Sequence, residues 1–470
     1  MKLVAGVDSS TQSCKVVIRD LETGALVRHG SAKHPDGTEI DPQHWWLALN
    51  QAIDEAGGLD DVLAISIGAQ QHGMVALDID GNVIRPALLW NDTRSAQAAN
   101  DLIAEFGAEG FVTRTGSVPV ASFTITKLRW MRDNEPENAA KVAAVALPHD
   151  WLTWRLRGFG SAGQSEHGPQ LNELISDRSD ASGTGYFNPE TNQYDDDLVI
   201  AALGHRPILP RILAVGESGG SVVSGTSHAI VACGAGDNAG AALGVGAKDG
   251  DIIVSLGTSG TIFGVSSTHP RDLSGTVAGF ADASGLYLPI AVTLNAARIL
   301  STTADLLGVD FEEFARLALK APAGSDGLVL VPYFEGERTP NLPNAKATLS
   351  GMSIASTTRE NLARAAIEGM ICGLNSGLEA LASLGIHGKR MLLIGGAAQN
   401  IAVHEVARNV FSLPIELPVP GEYVADGAAV QAAWALTGQR PDWNLDFAAK
   451  YEPKTNPEIM RAYLEQAGKY

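Results

Sequence analysis

The sequence predicts an α/β protein made of two related halves. Strands alternate with helices along the chain, a strand–turn–strand pattern at the N-terminus returns at Asp251, and the composition supplies apolar residues for two cores. The 470 residues are 45% hydrophobic and 19% charged, enough for two or three domains and too apolar for a disordered chain.

The opening stretch, "KLVAGVDSSTQSCKVVIRDLETGALVRHG", reads as three strands in a meander, its first two joined by the polar turn "DSSTQS". "HWWLALNQAIDEAG" has helical period, "VLAISIGAQQHGMVALD" reads as strand, loop, strand, and "RSAQAANDLIAEFG" is a helix closed by glycine. Between Arg157 and Asp197 the chain is rich in Gly, Ser, Asp and Asn, which predicts a long excursion, functional or mobile. "DIIVSLGTSGTIFGVSST" then repeats the opening hairpin. Long helices, the strand "KRMLLIGG", another helix and a last helix, "GAAVQAAWALTG", complete the second half. The expected boundary lies within 234–246, dividing the chain into 1–240 and 241–470.

A net charge of −19 argues against a general nucleic-acid or anionic-membrane binder, since both need broad basic patches. Any anionic ligand must therefore be held locally. Three separated cysteines, Cys14, Cys233 and Cys372, fit neither a disulfide framework nor a thiolate metal site. The N-terminal apolar run is too short for a signal peptide, and no run reaches the roughly 18 residues of a membrane span, so a cytoplasmic location is expected.

Backbone N–H groups and hydroxyls converge in a turn such as "DSSTQS" or "LGTSGT", which is how a chain without net positive charge can hold phosphate. Either turn alone is an ordinary hairpin; one in each half favours a nucleotide. Asp8 closes the first strand and could face a phosphate-bridging metal or simply form the turn. "MLLIGGAAQN" has the shape of a nucleotide-contacting turn at a helix N-terminus, although no P-loop occurs. In "VACGAGDNAGAALGVGA", Asp237 is the only charged residue, expected at the N-cap of a helix. A cap does not explain the glycine-rich frame, which is expected to leave open space for a substrate beside the carboxylate. The helix N-terminus is expected to keep Asp237 ionised and a weak base.

These blocks, with "ALLWNDTR", "LPHDWLTWRLRG", "SDRSDASGTGYF" and "VPYFEGERTPN", resemble the FGGY carbohydrate kinase family nearly end to end. The resemblance implies a duplicated actin-like, ribonuclease-H-type fold with ATP and Mg²⁺ in an interdomain cleft, the N-terminal domain binding sugar and the C-terminal domain ATP. It implies transfer of the γ-phosphoryl group to a sugar hydroxyl, with D-xylulose the expected acceptor. It assigns Asp237 as catalytic base and Asp8 to the metal and phosphates, with Gln71, His72 and Asn238 on the sugar. Thr11, Ser13, Gly257, Thr258 and Ser259 fall in the phosphate hairpins, and Gly395, Gly396 and Asn400 in the adenosine turn. The chain departs from the family pattern at Gln71, where methionine is usual, and at Ala397, where a third glycine is usual.

Taken alone, His72 is more readily a structural histidine, and the block match favours a ligand contact. His149 and His404 are expected to be structural, and Cys233 a buried small hydrophobe. Trp90 lines a cleft or the core, and Glu337 with Arg338 contacts sugar or forms a buried ion pair. The expected partners are a sugar and ATP, with a homodimer possible. The alternatives are another family member acting on ribulose, gluconate or glycerol and, from a different class, an actin-like ATPase switch or a sugar sensor without turnover.

Overall fold

The computed structural model describes residues 1–223 and 227–470. Two seven-stranded mixed sheets organise two compact units. The first unit comprises residues 1–247, 279–288 and 421–445, and the second 248–278, 289–420 and 446–470. The chain thus crosses between units more often than a single division after residue 240 describes.

In the first unit, Leu3–Ser9 pairs antiparallel with Ser13–Asp20, which pairs antiparallel with Leu26–Lys33; on its other side it runs parallel to Val62–Ala69. Ile230–Ala232 continues the parallel run, and Ser218–Ser221 closes that edge antiparallel. In the second unit Asp251–Leu256 stands where Leu3–Ser9 stood: antiparallel to Gly260–Gly264, itself antiparallel to Tyr287–Thr293, and parallel to Arg390–Ile394. Ile415–Pro418 extends the parallel run and Phe447–Tyr451 ends it antiparallel. The repeated hairpin is therefore the start of a repeated sheet. The central strands read as near-continuous apolar runs because both faces of each parallel core are buried.

Helix limits follow local chemistry. Gly107 and Gly308 take positive φ to close Ala96–Phe106 and Ala297–Leu307, and the Thr358 side chain caps the 25-residue helix Arg359–Ser383. The helix Tyr423–Thr437 is not the last: a strand and the helix Pro457–Ala467 follow, the latter opened by Asn456 and Pro457.

Tyr423–Thr437 lies in the first unit and packs on the Asp237 helix, Asp237–Gly244, by backbone-to-backbone approach. A Cβ on Gly427 would sit 1.9 Å from the Gly240 carbonyl, and one on Gly244 2.0 Å from the Tyr423 carbonyl. Gly6 is constrained in the same way by the Ala425 carbonyl, at 1.9 Å. Glycine is the only residue that admits such contacts.

The polar excursion is a loop only at its start. Ser161–Gly168 carries no helix or strand, whereas Leu174–Phe187 is buried throughout and holds a short helix, Arg178–Ala181, capped by Asp177. Its serines and aspartates bond one another and the surrounding backbone, with Asp180 Oδ1 left without a partner, so polarity here marks a buried network rather than a solvated surface.

Candidate active site

Asp237 occupies the first turn of its helix, one position later than expected: Gly236 is the N-cap, in extended conformation, and Asp237 is the first helical residue. Its Oδ1 accepts the Asn238 backbone N–H at 2.8 Å and the Asn238 side-chain amide at 2.9 Å. Asn238 thus acts on the carboxylate, a role the sequence does not suggest. Asp237 keeps some solvent access, yet the surrounding protein removes enough hydration to push its carboxyl up to about 7, helped by the charge of Asp8 and opposed by the Asn238 hydrogen bonds. Burial overcomes the helix N-terminus, so the expected weak, fully ionised base is instead one that titrates near neutrality.

The glycine frame has a different purpose from the open space expected of it. A Cβ on Gly234 would lie 2.3 Å from the His149 ring, and one on Gly236 2.6 Å from the Gln71 amide. Gly240 faces Val424 at 3.3 Å. The glycines admit protein side chains and a neighbouring helix.

Gln71 and His72 follow the strand Val62–Ala69, and both are buried. Gln71 Nε2 donates to the Ser179 carbonyl at 3.0 Å, so the glutamine that replaces methionine is tied to the protein. His72, at φ +70°, donates from Nδ1 to the Gly183 carbonyl at 2.6 Å and stacks on Phe123 with ring centroids 5.0 Å apart. Its own carbonyl accepts from the buried Lys127 ammonium at 3.0 Å. Segment 177–184 therefore receives both candidate sugar residues, and it also holds the Asp237 turn, because Gly236 N donates to Ser179 Oγ at 3.1 Å. The sequence gives Asp177, Ser179, Asp180 and His149 no functional role; their signals are a dense run of acids and serines for the first three and, for all four, their place in the blocks "SDRSDASGTGYF" and "LPHDWLTWRLRG".

Asp8 ends its strand buried and accepts a short hydrogen bond from Ser10 Oγ. Burial pushes its carboxyl up to about 6 against the Ser10 hydrogen bond and the charge of Lys15, which Glu422 shares at 2.6 Å. The charge of Asp8 acts on Asp237, and a buried carboxyl such as Asp8 is the oxygen donor type that a hard divalent cation such as Mg²⁺ takes. Nearby, Thr11 Oγ1 accepts from Trp90 Nε1 at 2.9 Å and contacts Gln70 Oε1 at 3.4 Å, so both its hydrogen-bonding roles have protein partners. Ser13 opens the second strand, its carbonyl accepting from Ser10 N at 3.0 Å.

In the second unit, Gly257, Thr258 and Ser259 form the turn between Asp251–Leu256 and Gly260–Gly264, with Gly257 and Thr258 exposed. Gly395 has φ +97°, and a Cβ there would lie 2.6 Å from the Leu256 carbonyl; Gly396 has nothing within 4 Å of its Cβ position. One glycine is required by the fold, the other borders open space. Asn400 caps Ile401–Val410 through its side-chain oxygen, which accepts from Ala402 N at 2.9 Å. Glu337 accepts from Leu294 N, Arg338 N and Asn295 Nδ2, so it organises backbone in this unit.

The chain matches the N-terminal domain of the FGGY family of carbohydrate kinases over residues 3–244 and the C-terminal domain over residues 252–436. It is 43% identical over 449 residues to a xylulose kinase of Streptomyces coelicolor, covering 93% of this chain and 89% of that one. The crystal structure of xylulose kinase from Bifidobacterium adolescentis superposes with a TM-score of 0.91 at 46% identity over 99% of both chains. That of a xylulose kinase from Brucella ovis gives 0.87 at 28% identity, covering 100% of this chain and 98% of that one. No helix among the described residues is long and apolar enough to cross a membrane. With both domains matched and such identity over most of its length, the chain belongs to the FGGY family of carbohydrate kinases.

Proposed function

We propose that this chain transfers the γ-phosphoryl group of ATP to the terminal hydroxyl of D-xylulose, giving D-xylulose 5-phosphate and ADP. The observation that carries the chemistry is Asp237, a carboxylate with one oxygen occupied by Asn238 and a proton affinity near neutrality. The choice of sugar rests on relatives named as xylulose kinases over most of the chain.

A sugar hydroxyl attacks the γ-phosphorus well only if its proton has somewhere to go. In this reading Oδ2 of Asp237 accepts that proton as the new P–O bond forms and the bond from the γ-phosphorus to the bridging oxygen of ADP breaks. A base of pKa about 7 is largely ionised at pH 8 and stronger than an ordinary carboxylate. Gln71 and His72 orient the sugar from a buried shelf, where an unmatched hydroxyl leaves a polar group unpaired. Mg²⁺ held at Asp8 would neutralise charge on the phosphates. The turn Gly257–Ser259 and the Gly395–Gly396 turn offer backbone N–H groups to the nucleotide.

A coupled ADP-release assay with D-xylulose, D-ribulose, D-gluconate and glycerol tests the reading. D-xylulose should give the highest kcat/KM by at least about tenfold, and Asp237→Asn should lower kcat by about 10² to 10⁴ with ATP affinity within a few-fold. Preference for another acceptor overturns the sugar; ATP consumption indifferent to every sugar overturns the kinase reading in favour of an ATPase switch.

A further inference from the structure

We propose that His149, held as an imidazolium, is the positioning residue of the site: it fixes the turn that aims Asp237 and the segment that seats Gln71 and His72. The inference rests on the reading of Asp237 as the base.

His149 is fully buried in the first turn of the helix Pro148–Leu156, and both its ring nitrogens face acceptors. Nδ1 lies 2.7 Å from Asp180 Oδ2 and 3.2 Å from Asp150 Oδ1; Nε2 lies 3.3 Å from the Cys233 carbonyl and 3.9 Å from Asp177 Oδ1. A carbonyl can only accept, and Nδ1 sits against two carboxylates, so a proton on each nitrogen satisfies the arrangement. The donor atoms of His149, Asp150 and Asp180 also lie within 4.8 Å of one another, close enough for a cation. A ring that donates from both nitrogens, however, has no lone pair for a metal.

The backbone before Asp237 is gripped at three points. His149 takes the Cys233 carbonyl, Gln431 Nε2 donates to the Gly234 carbonyl at 2.6 Å, and Ser179 Oγ accepts Gly236 N at 3.1 Å. Of the three, the His149 bond is the longest, at 3.3 Å, yet its ring is the one side chain that also reaches Asp180 and Asp177. Gly234, at φ +87°, is the residue whose missing side chain lets the ring approach. On its other side the ring faces Asp180 and Asp177, and Asp177 caps the segment whose Ser179 and Gly183 carbonyls hold Gln71 and His72.

Burial alone would pull the His149 pKa down, yet Asp150, Asp180 and Asp177 push it up to about 10. Of the other titratable groups facing this cluster, the Tyr186 and Tyr194 phenols and the Cys233 thiol are raised by burial and by these same aspartates and stay neutral. Burial also raises Asp150, Asp180 and Asp177, which the proton on His149 lowers, and the charge of Asp237 acts on Asp180. His149 is the only cation of the cluster among the described residues.

The test is nitrogen-15 NMR of the full-length protein labelled at histidine, beside kinetics of His149→Gln and Asp180→Asn. In the wild type both His149 nitrogens should remain protonated through pH 9. Folded His149→Gln should lose kcat by about 10- to 100-fold and raise the KM for D-xylulose about tenfold, with the Kd for ATP within twofold. Asp180→Asn should bring the His149 titration down into the range from pH 6 to 9. A neutral ring, a titration near 6.5 in the wild type, or stoichiometric metal with an unprotonated ring nitrogen overturns the proposal. So does a folded His149→Gln with kcat within twofold while Asp237→Asn is inactive, an outcome that leaves the base reading standing. If His149→Gln does not fold, the wild-type and Asp180→Asn spectra decide alone.

Discussion

Asn238 places two hydrogen bonds, at 2.8 and 2.9 Å, on one oxygen of its neighbour Asp237. Donors to a carboxylate favour its ionised form and fix which oxygen is left for chemistry. Asn238→Ala removes the side-chain bond and keeps the backbone one. The acid limb of the kcat/KM profile should then move to higher pH, with kcat reduced by about tenfold. An unmoved profile with raised sugar KM alone would return Asn238 to a simple sugar contact.

Asp237 also sets how stability depends on pH. Its folded pKa, about 7, lies above the ordinary carboxylate value of 3.8, so between roughly pH 4 and 7 the folded state binds more protons than the unfolded one. Stability contributed at this site is therefore full at low pH and is lost as pH rises through 7. Asp237→Asn should melt about 2 °C or more above the wild type at pH 8, while the two should be alike near pH 4. Scanning calorimetry at both values checks this; a variant less stable at pH 8 would show that capping outweighs the burial of charge.

The same shift governs turnover. kcat/KM should fall tenfold for each pH unit below about 7 as Asp237 takes up a proton. A rate flat down to pH 5.5, measured at saturating Mg²⁺ with Asp237→Asn as the blank, would show that the base ionises like an exposed carboxylate.

Gly234 and Gly236 are two positions apart and should fail differently. Gly234→Ala demands a left-handed backbone from alanine and puts a methyl group 2.3 Å from the His149 ring, so a loss of about 2–4 kcal/mol is expected in denaturant unfolding. Gly236→Ala meets the Gln71 side chain instead, 2.6 Å from Nε2 and 2.7 Å from Cγ, and must displace it from the Ser179 carbonyl. It should cost about 1 kcal/mol and act chiefly on sugar KM. Equal effects of the two on stability and on KM would contradict the separate roles.

In the second unit, Gly395→Ala is strained at φ +97° and would press on the Leu256 carbonyl. ATP affinity by calorimetry should drop about tenfold or more while sugar binding is retained. Undiminished ATP affinity would move the nucleotide away from this turn.

Much of the architecture is legible along the chain. The meander, the repeated hairpin and the helices closed by Gly107, Gly308 and Gly438 are local patterns whose period and end residues suffice. Within the candidate site, Asp8, Asp237 and the Gly395–Gly396 turn lie at strand and helix ends, where a lone carboxylate or paired glycine stands out. What misleads is composition: "SDRSDASGT" looks like solvated loop because its polar groups bond one another locally, while what buries them, such as His149 on Asp180 and Gly236 on Ser179, lies far away in sequence.

By itself, then, the sequence determined the alternation of strands and helices, the duplication, and the carboxylate that stands alone at residue 237, because each depends on neighbours within a few residues. Only the tertiary structure decided that burial raises Asp237 toward neutrality, that its glycines make way for His149 and Gln71, and that His149 is set among three aspartates. Those properties arise from desolvation and from interactions between residues tens to hundreds of positions apart, such as the charge of Asp8 on Asp237 and the hydrogen bond of Gln431 to Gly234. Neither can be read from spacing, because burial and long-range charge exist only once the chain has packed.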